Sequence, residues 1–119
     1  TSRADLKHHR IVGYIPDMIF DKELDYLGEF GTSAPDLSSN SVSVQTQLMR
    51  AGAGLGMVHD FAMPFAPELV QVLPEVLALT RSFWLVRHAD DTGIARMNRF
   101  TELLISGVRA ELQRLEALT

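Results

Sequence analysis

The stretch LMRAGAGLGMVHDFAM, Leu48 to Met63, places Gly52, Gly54 and Gly56 between two apolar runs. In a dinucleotide-binding fingerprint the glycines follow a strand and open a helix, because the helix N-terminus holds the pyrophosphate. Here the order is reversed. Val42 to Ala51 has helical spacing and comes first, and the apolar run Leu55 to Val58 reads as the strand that follows. Met57 to Asp60 supplies no glycine at the offset the fingerprint needs. Gly52 therefore fits a left-handed helix C-cap. Gly54 and Gly56 fit a close turn and close packing of the next strand.

The opposite end of that helix is the chemically interesting one. SSNS, Ser38 to Ser41, runs straight into it. Ser and Asn are strong N-caps, and the exposed N–H groups of a helix start attract anions. Two readings stand at this point: Asn40 or Ser41 caps the helix and binds nothing, or a carboxylate or phosphate ligand sits here.

Working outward, strands and helices alternate. RIVGYI, Arg10 to Ile15, is β-branched and apolar, and Pro16 stops it. Asp21 is placed to cap a short helix with Leu24, Leu27 and Phe30 on one side. Leu37 to Asn40 reads as a short strand in a turn-rich stretch. Leu69 to Leu73, bracketed by Pro67 and Pro74, reads as another. RSFWLVRH, Arg81 to His88, is the strongest strand pattern, with its single Trp84 expected in the core. Asp91 to Gly93 then open a long helix with Met97, Phe100, Leu104, Val108, Leu112 and Leu115 on one stripe. Such alternation predicts an α/β fold, a mixed sheet with flanking helices.

Composition bounds the function. The 119 residues are 46% hydrophobic and 22% charged, an ordinary globular balance for one small domain or part of a larger one. No apolar run reaches the roughly 20 residues of a membrane span, so no membrane partner is expected, and Thr1 opens no signal-peptide pattern. The absence of cysteine excludes disulfides and thiolate metal sites and suits a cytoplasmic location. A net charge of −4 argues against this segment gripping phosphate backbones by itself.

Catalytic patterns are weak. His8, His9, His59 and His88 form no HxH or HExxH spacing, so neither metal nor cofactor is expected. There is no GxSxG and no thiol nucleophile. His59 and Asp60 are adjacent, and neighbours on a strand face opposite ways. Asp90 and Asp91 beside His88 read as a solvated turn. No catalytic residue is expected. A lobe of a solute-binding protein and a small enzyme stay as alternatives.

LMRAGAGLGMVHDF resembles the helix–Gly–strand segment of LysR-type transcriptional regulators, commonly V-x-x-G-x-G-I-x-x-L-P. RIVGYIPD resembles the strand that opens their second regulatory lobe. PELVQVLPEVLALTRSFWLVRHADDTGIARMNRFTELL resembles their tail of proline-bracketed strand, apolar strand and closing helix. One departure stands out: His59 and Asp60 replace the usual Leu-Pro. The resemblance implies a periplasmic-binding-protein-like (type II) lobe over about 8–88, with a returning segment and closing helix over about 89–119. It implies that the DNA-binding winged helix-turn-helix and the first lobe lie outside this chain, so that DNA is met only through a missing N-terminal domain. It also implies a small-molecule effector between lobes, expected to be anionic, and a homo-oligomer. The effector-binding residues it implies are Ser39, Asn40 and Ser41 before the helix, Tyr14 and Pro16 after the first strand, and Val58 after the glycines.

Overall fold

The computed structural model describes residues 2–19 and 25–119. Its centre is a small parallel sheet. Strand β1, Val12–Gly13, pairs with β2, Leu37–Ser38, with Val12 opposite Leu37 and Gly13 opposite Ser38. On the other side of β1, Leu55 forms a parallel bridge with Ile11. There the Leu55 N–H donates to the Arg10 carbonyl at 2.8 Å, and the Val12 N–H donates to the Leu55 carbonyl at 2.7 Å. Three parallel segments thus lie side by side, with β1 in the middle.

Helix α1, Val42–Arg50, crosses from β2 over β1 to the Leu55 segment, as parallel neighbours require. It turns Gln45 and Met49 inward. The glycines let the next segment close on the sheet. Gly52 takes φ 78°, the left-handed conformation that ends a helix cheaply. A Cβ on Gly56 would stand 2.7 Å from the Met49 sulfur and 3.0 Å from the Val12 carbonyl oxygen.

The core beneath the sheet joins Leu6, Ile11, Leu27 and Phe30, with Tyr26, Leu55, Met57, Leu73 and Leu77 packed against it. Leu6 comes from a 3-10 helix, Arg3–His8, and Leu27 and Phe30 from another, Leu27–Phe30. The expected helix from Asp21 is therefore a 3-10 turn where it is described. Asp21 and Leu24 lie outside the described residues.

Helix α2, Ala95–Glu116, closes the chain after a 3-10 turn at Ala89–Gly93. Leu115 is buried, and α2 packs on the 3-10 segment Asp60–Phe65, where the Thr119 hydroxyl donates to the Asp60 carbonyl at 3.0 Å. The stripe is covered only at its ends. Met97 and Leu112 are half-buried, whereas Phe100, Leu104 and Val108 are exposed.

The α/β reading stands as a mixture of helix and strand, but the sheet differs from the expectation. Among the described residues it is wholly parallel rather than mixed, and it is short. The run Arg10 to Ile15 contributes only Ile11, Val12 and Gly13 to the pairing, and Pro16 starts a 3-10 turn, Pro16–Met18. Leu37 to Asn40 likewise contributes only Leu37 and Ser38. Leu55 to Val58 contributes a single bridge residue. Leu69 to Leu73 is not a strand: Leu73 turns to φ 52°, and the N–H groups of Val76 and Leu77 fold back onto its carbonyl. Arg81 to His88 is not a strand either. Its apolar side chains lie open, with Phe83 67%, Trp84 84% and Val86 87% exposed, so Trp84 is not a core residue. A β-rich sequence favours extension, but a strand needs a partner edge, and none faces this segment among the described residues. The same openness sets the dimensions: the radius of gyration is 17.3 Å, against about 13.5 Å for a compact domain of this length.

Candidate functional site

Parallel register decides which residues meet. Tyr14 lies two residues past Val12, Ser39 two past Leu37, and Val58 three past Leu55, as Tyr14 lies three past Ile11. Tyr14, Ser39 and Val58 therefore leave the sheet at one level, beyond the carboxyl ends of their segments. The Ser39 N–H donates to the Gly13 carbonyl at 3.0 Å, which ties the two strand exits together. In open α/β sheets this edge is where ligands bind.

Ser39, Asn40 and Ser41 form the entrance to α1. The Ser41 hydroxyl accepts from the Val44 N–H at 3.4 Å, so Ser41 is the N-cap. The Ser39 hydroxyl accepts from the Ser41 N–H at 3.1 Å and holds the turn. Asn40 is exposed. Capping and accessibility are thus divided between neighbours that residue type alone makes equivalent.

Gln45 is the residue that sequence reasoning missed. It is 2% exposed, and its side-chain amide donates to the Ser39 carbonyl at 2.7 Å. Its place four residues before Met49, on the same face of the helix, was the available signal. Gln45 anchors the entrance loop from below.

The other expected residues are placed unequally. Tyr14 is buried at 9% exposure and meets Tyr26 edge to face, ring centroids 6.0 Å apart at 61°. Burial pushes the Tyr26 phenol above its ordinary pKa, and the adjacent Tyr14 adds to the rise. Pro16 is exposed on its 3-10 turn, and Val58 is half-buried. His59, next to Val58, stacks on Phe61 at 4.9 Å and 12°, and its ring lies 5.3 Å from Phe83. His59 precedes the 3-10 turn Asp60–Phe65 rather than sitting in a strand with Asp60.

Two open clefts, about 330 and 380 Å³, lie at the other edge of the sheet. Both are lined by His8, His9 and Arg10, one with Gly52 to Leu55 and the other with Phe30 to Thr32 and Asp36. Neither includes an expected site residue. These two clefts are thus on the amino-end edge, and the polar groups of Ser39 to Ser41 are on the carboxyl-end edge.

Among the described residues no group of three or more His, Asp or Glu side chains is placed to hold a metal ion. No helix among them is long and apolar enough to cross a membrane. Asp90 and His88 form an exposed turn in which the His88 Nδ1 accepts from the Asp90 N–H at 3.2 Å.

Residues 1–109 match the family model described as LysR substrate binding domain, a regulatory rather than a catalytic family. No curated protein and no solved structure matches the chain.

Proposed function

Because the chain belongs to the LysR substrate binding domain family, we propose that it is the ligand-sensing part of a LysR-type transcriptional regulator. It binds a small anionic effector and so modulates DNA binding performed by another part of a cytoplasmic regulator. Within that reading residues of about 8–88 are the second, periplasmic-binding-protein-like lobe, and about 89–119 are the returning segment and closing helix. The observation that supports this best is the parallel register, in which Tyr14, Ser39 and Val58 follow the carboxyl ends of three adjacent segments.

The physics of the edge favours an anion. The first N–H groups of a helix lack intrahelical partners and carry the positive end of the macrodipole. Ser41 satisfies one of them, at Val44. Exposed Asn40 adds an amide donor at the same place, and Ser39 and Ser41 add hydroxyls.

The open apolar surface supports a homo-oligomer or a covering lobe. Phe100 is 60% exposed on α2, and Leu104 and Val108 lie on the same stripe. Stripes of this kind on soluble proteins mark interfaces. Sedimentation equilibrium checks this: a dimer or larger species is expected, and a monomer at high concentration contradicts it.

The ligand reading is tested by thermal shift against a panel of small carboxylates and phosphates, using the native protein and Asn40→Ala in parallel. At least one anion is expected to raise the melting temperature of the native protein and to raise that of Asn40→Ala less. Anions that act equally on both proteins contradict the site.

A further inference from the structure

The amino-end edge of the sheet carries a basic run, Lys7, His8, His9 and Arg10, in a chain whose net charge is −4. All of these residues are exposed, and among the described residues none of them pairs with a carboxylate. Both ends of the run are pinned to the core. Lys7 and His8 belong to the 3-10 helix Arg3–His8, which buries Leu6, and the Arg10 carbonyl accepts the Leu55 N–H at 2.8 Å. His8, His9 and Arg10 line both clefts. The cleft of about 330 Å³ is completed by Gly52 to Leu55, and no carboxylate lines it. The Gly54 N–H on its wall donates to no acceptor among the described residues. The other cleft includes Asp36, whose Oδ2 already accepts the Ile11 N–H at 2.8 Å.

The carboxyl end of α1 adjoins this cleft, and cations are often placed at such an end. That role does not use up the charge here. The carbonyls of Gln47, Leu48 and Met49 already accept the N–H groups of Ala51, Ala53 and Gly52. The macrodipole leaves about half a negative charge at the end of a helix, whereas Lys7 and Arg10 each carry a full positive one.

We infer that the cleft walled by His8, His9, Arg10 and Gly52 to Leu55 is a second anion site, and that it takes a diphosphate group. It lies at the opposite edge from Asn40 and does not rest on the effector reading. Its positive charge comes from side chains rather than from a helix start, so it is unlike a dinucleotide fingerprint. Coulomb attraction grows with the product of the charges, so a cationic run favours a multiply charged phosphate over a single carboxylate. The Arg10 guanidinium is a fork that matches phosphate oxygens, and each imidazole offers at least one N–H. A volume of about 330 Å³ is at the small end of ligand sites, which suits a diphosphate better than a bulky ligand.

The probes are inorganic pyrophosphate, ADP, adenosine and acetate, titrated into the native chain at about 0.15 M salt, where screening suppresses long-range attraction. Amide NMR locates each site and gives its dissociation constant. Pyrophosphate is expected to shift His8 to Arg10 and Gly52 to Leu55, and acetate to bind there at least about tenfold more weakly. Arg10→Ala weakens pyrophosphate about tenfold, and Arg10→Lys, which keeps the charge but not the fork, weakens it less. Arg96→Ala removes the same charge from α2, outside both clefts, and leaves the constant within about twofold. ADP binding at least as tightly as pyrophosphate supports the site with a nucleoside diphosphate as the source, and weaker ADP binding supports it with free pyrophosphate. Pyrophosphate shifts that miss these residues, equal losses in Arg10→Ala and Arg96→Ala, or adenosine binding as tightly as ADP overturn the assignment. If Arg10→Ala unfolds, the shift map and Arg10→Lys still decide. Asn40→Ala leaves the pyrophosphate constant unchanged, so failure here is distinct from failure of the effector site.

Discussion

Gly54 lies directly against the carbonyl group of Arg10: a Cβ at Gly54 would stand 2.5 Å from that oxygen and 3.0 Å from its carbon. Both atoms are backbone, and the same oxygen accepts the Leu55 N–H. Neither side can shift without opening the bridge that joins the third segment to β1. Gly54→Ala is therefore expected to cost about 1–3 kcal/mol, as overpacking does. Urea denaturation checks it, with Gly107→Ala as the control. Gly107 lies within α2, where an added methyl group would meet nothing within 4 Å, and alanine there should add up to about 1 kcal/mol. An unchanged midpoint for Gly54→Ala contradicts the packing described.

Arg50 and Glu68 tie the end of α1 to the segment after the Asp60–Phe65 turn, at 2.5 Å. The hydrogen bond from Arg50 holds the Glu68 carboxyl below its ordinary 4.5. A carboxyl depressed on folding contributes stability that is present above its unfolded pKa and lost as pH falls through the folded value. Glu68→Gln should therefore melt below the native protein at about pH 7, with the gap closing as pH falls below about 4.5. A gap that is constant with pH would show that the pair contributes nothing through its charge.

The buried amide of Gln45 makes a third prediction. Gln45→Met keeps nearly the same length and volume but removes the donor to the Ser39 carbonyl. A buried acceptor left unpaired costs about 1–3 kcal/mol, and the entrance loop should loosen with it. The check is the melting temperature together with amide hydrogen exchange at Ser39 to Ser41. Native-like protection there would remove Gln45 from the support of the site.

Much of the local design is legible in the sequence, and what is missing has a common cause. Helix α1, the left-handed Gly52, the tight glycines and the closing helix follow from local rules of spacing, capping and conformational freedom. Strand partners do not. The run from Arg81 to His88 has the composition of a strand, yet pairing depends on an edge elsewhere in space, and sequence periodicity does not supply one. The division of labour at the α1 entrance was hidden for a related reason. Asn40 and Ser41 are equally good caps by residue type, and only backbone geometry assigns the cap to Ser41. Gln45 supports the entrance through its contact with Ser39, and that contact leaves no motif.

That division gives a fourth prediction. Ser41→Ala removes the acceptor of the Val44 N–H and should cost about 0.5–1 kcal/mol. Asn40→Ala should leave the melting temperature unchanged while weakening anion binding. Paired melts and affinity titrations separate the two roles. A destabilised Asn40→Ala with unchanged affinity would return Asn40 to a purely structural part.

The functional reading rests on ligand binding at the carboxyl-end edge of the sheet. The most direct measurement is an amide NMR map of the chain titrated with the tightest anion from the carboxylate and phosphate panel. Shifts centred on Tyr14, Ser39 to Ser41 and Val58 are expected. Shifts confined to His8, His9, Arg10 and Gly52 to Leu55, at the opposite edge, would contradict it.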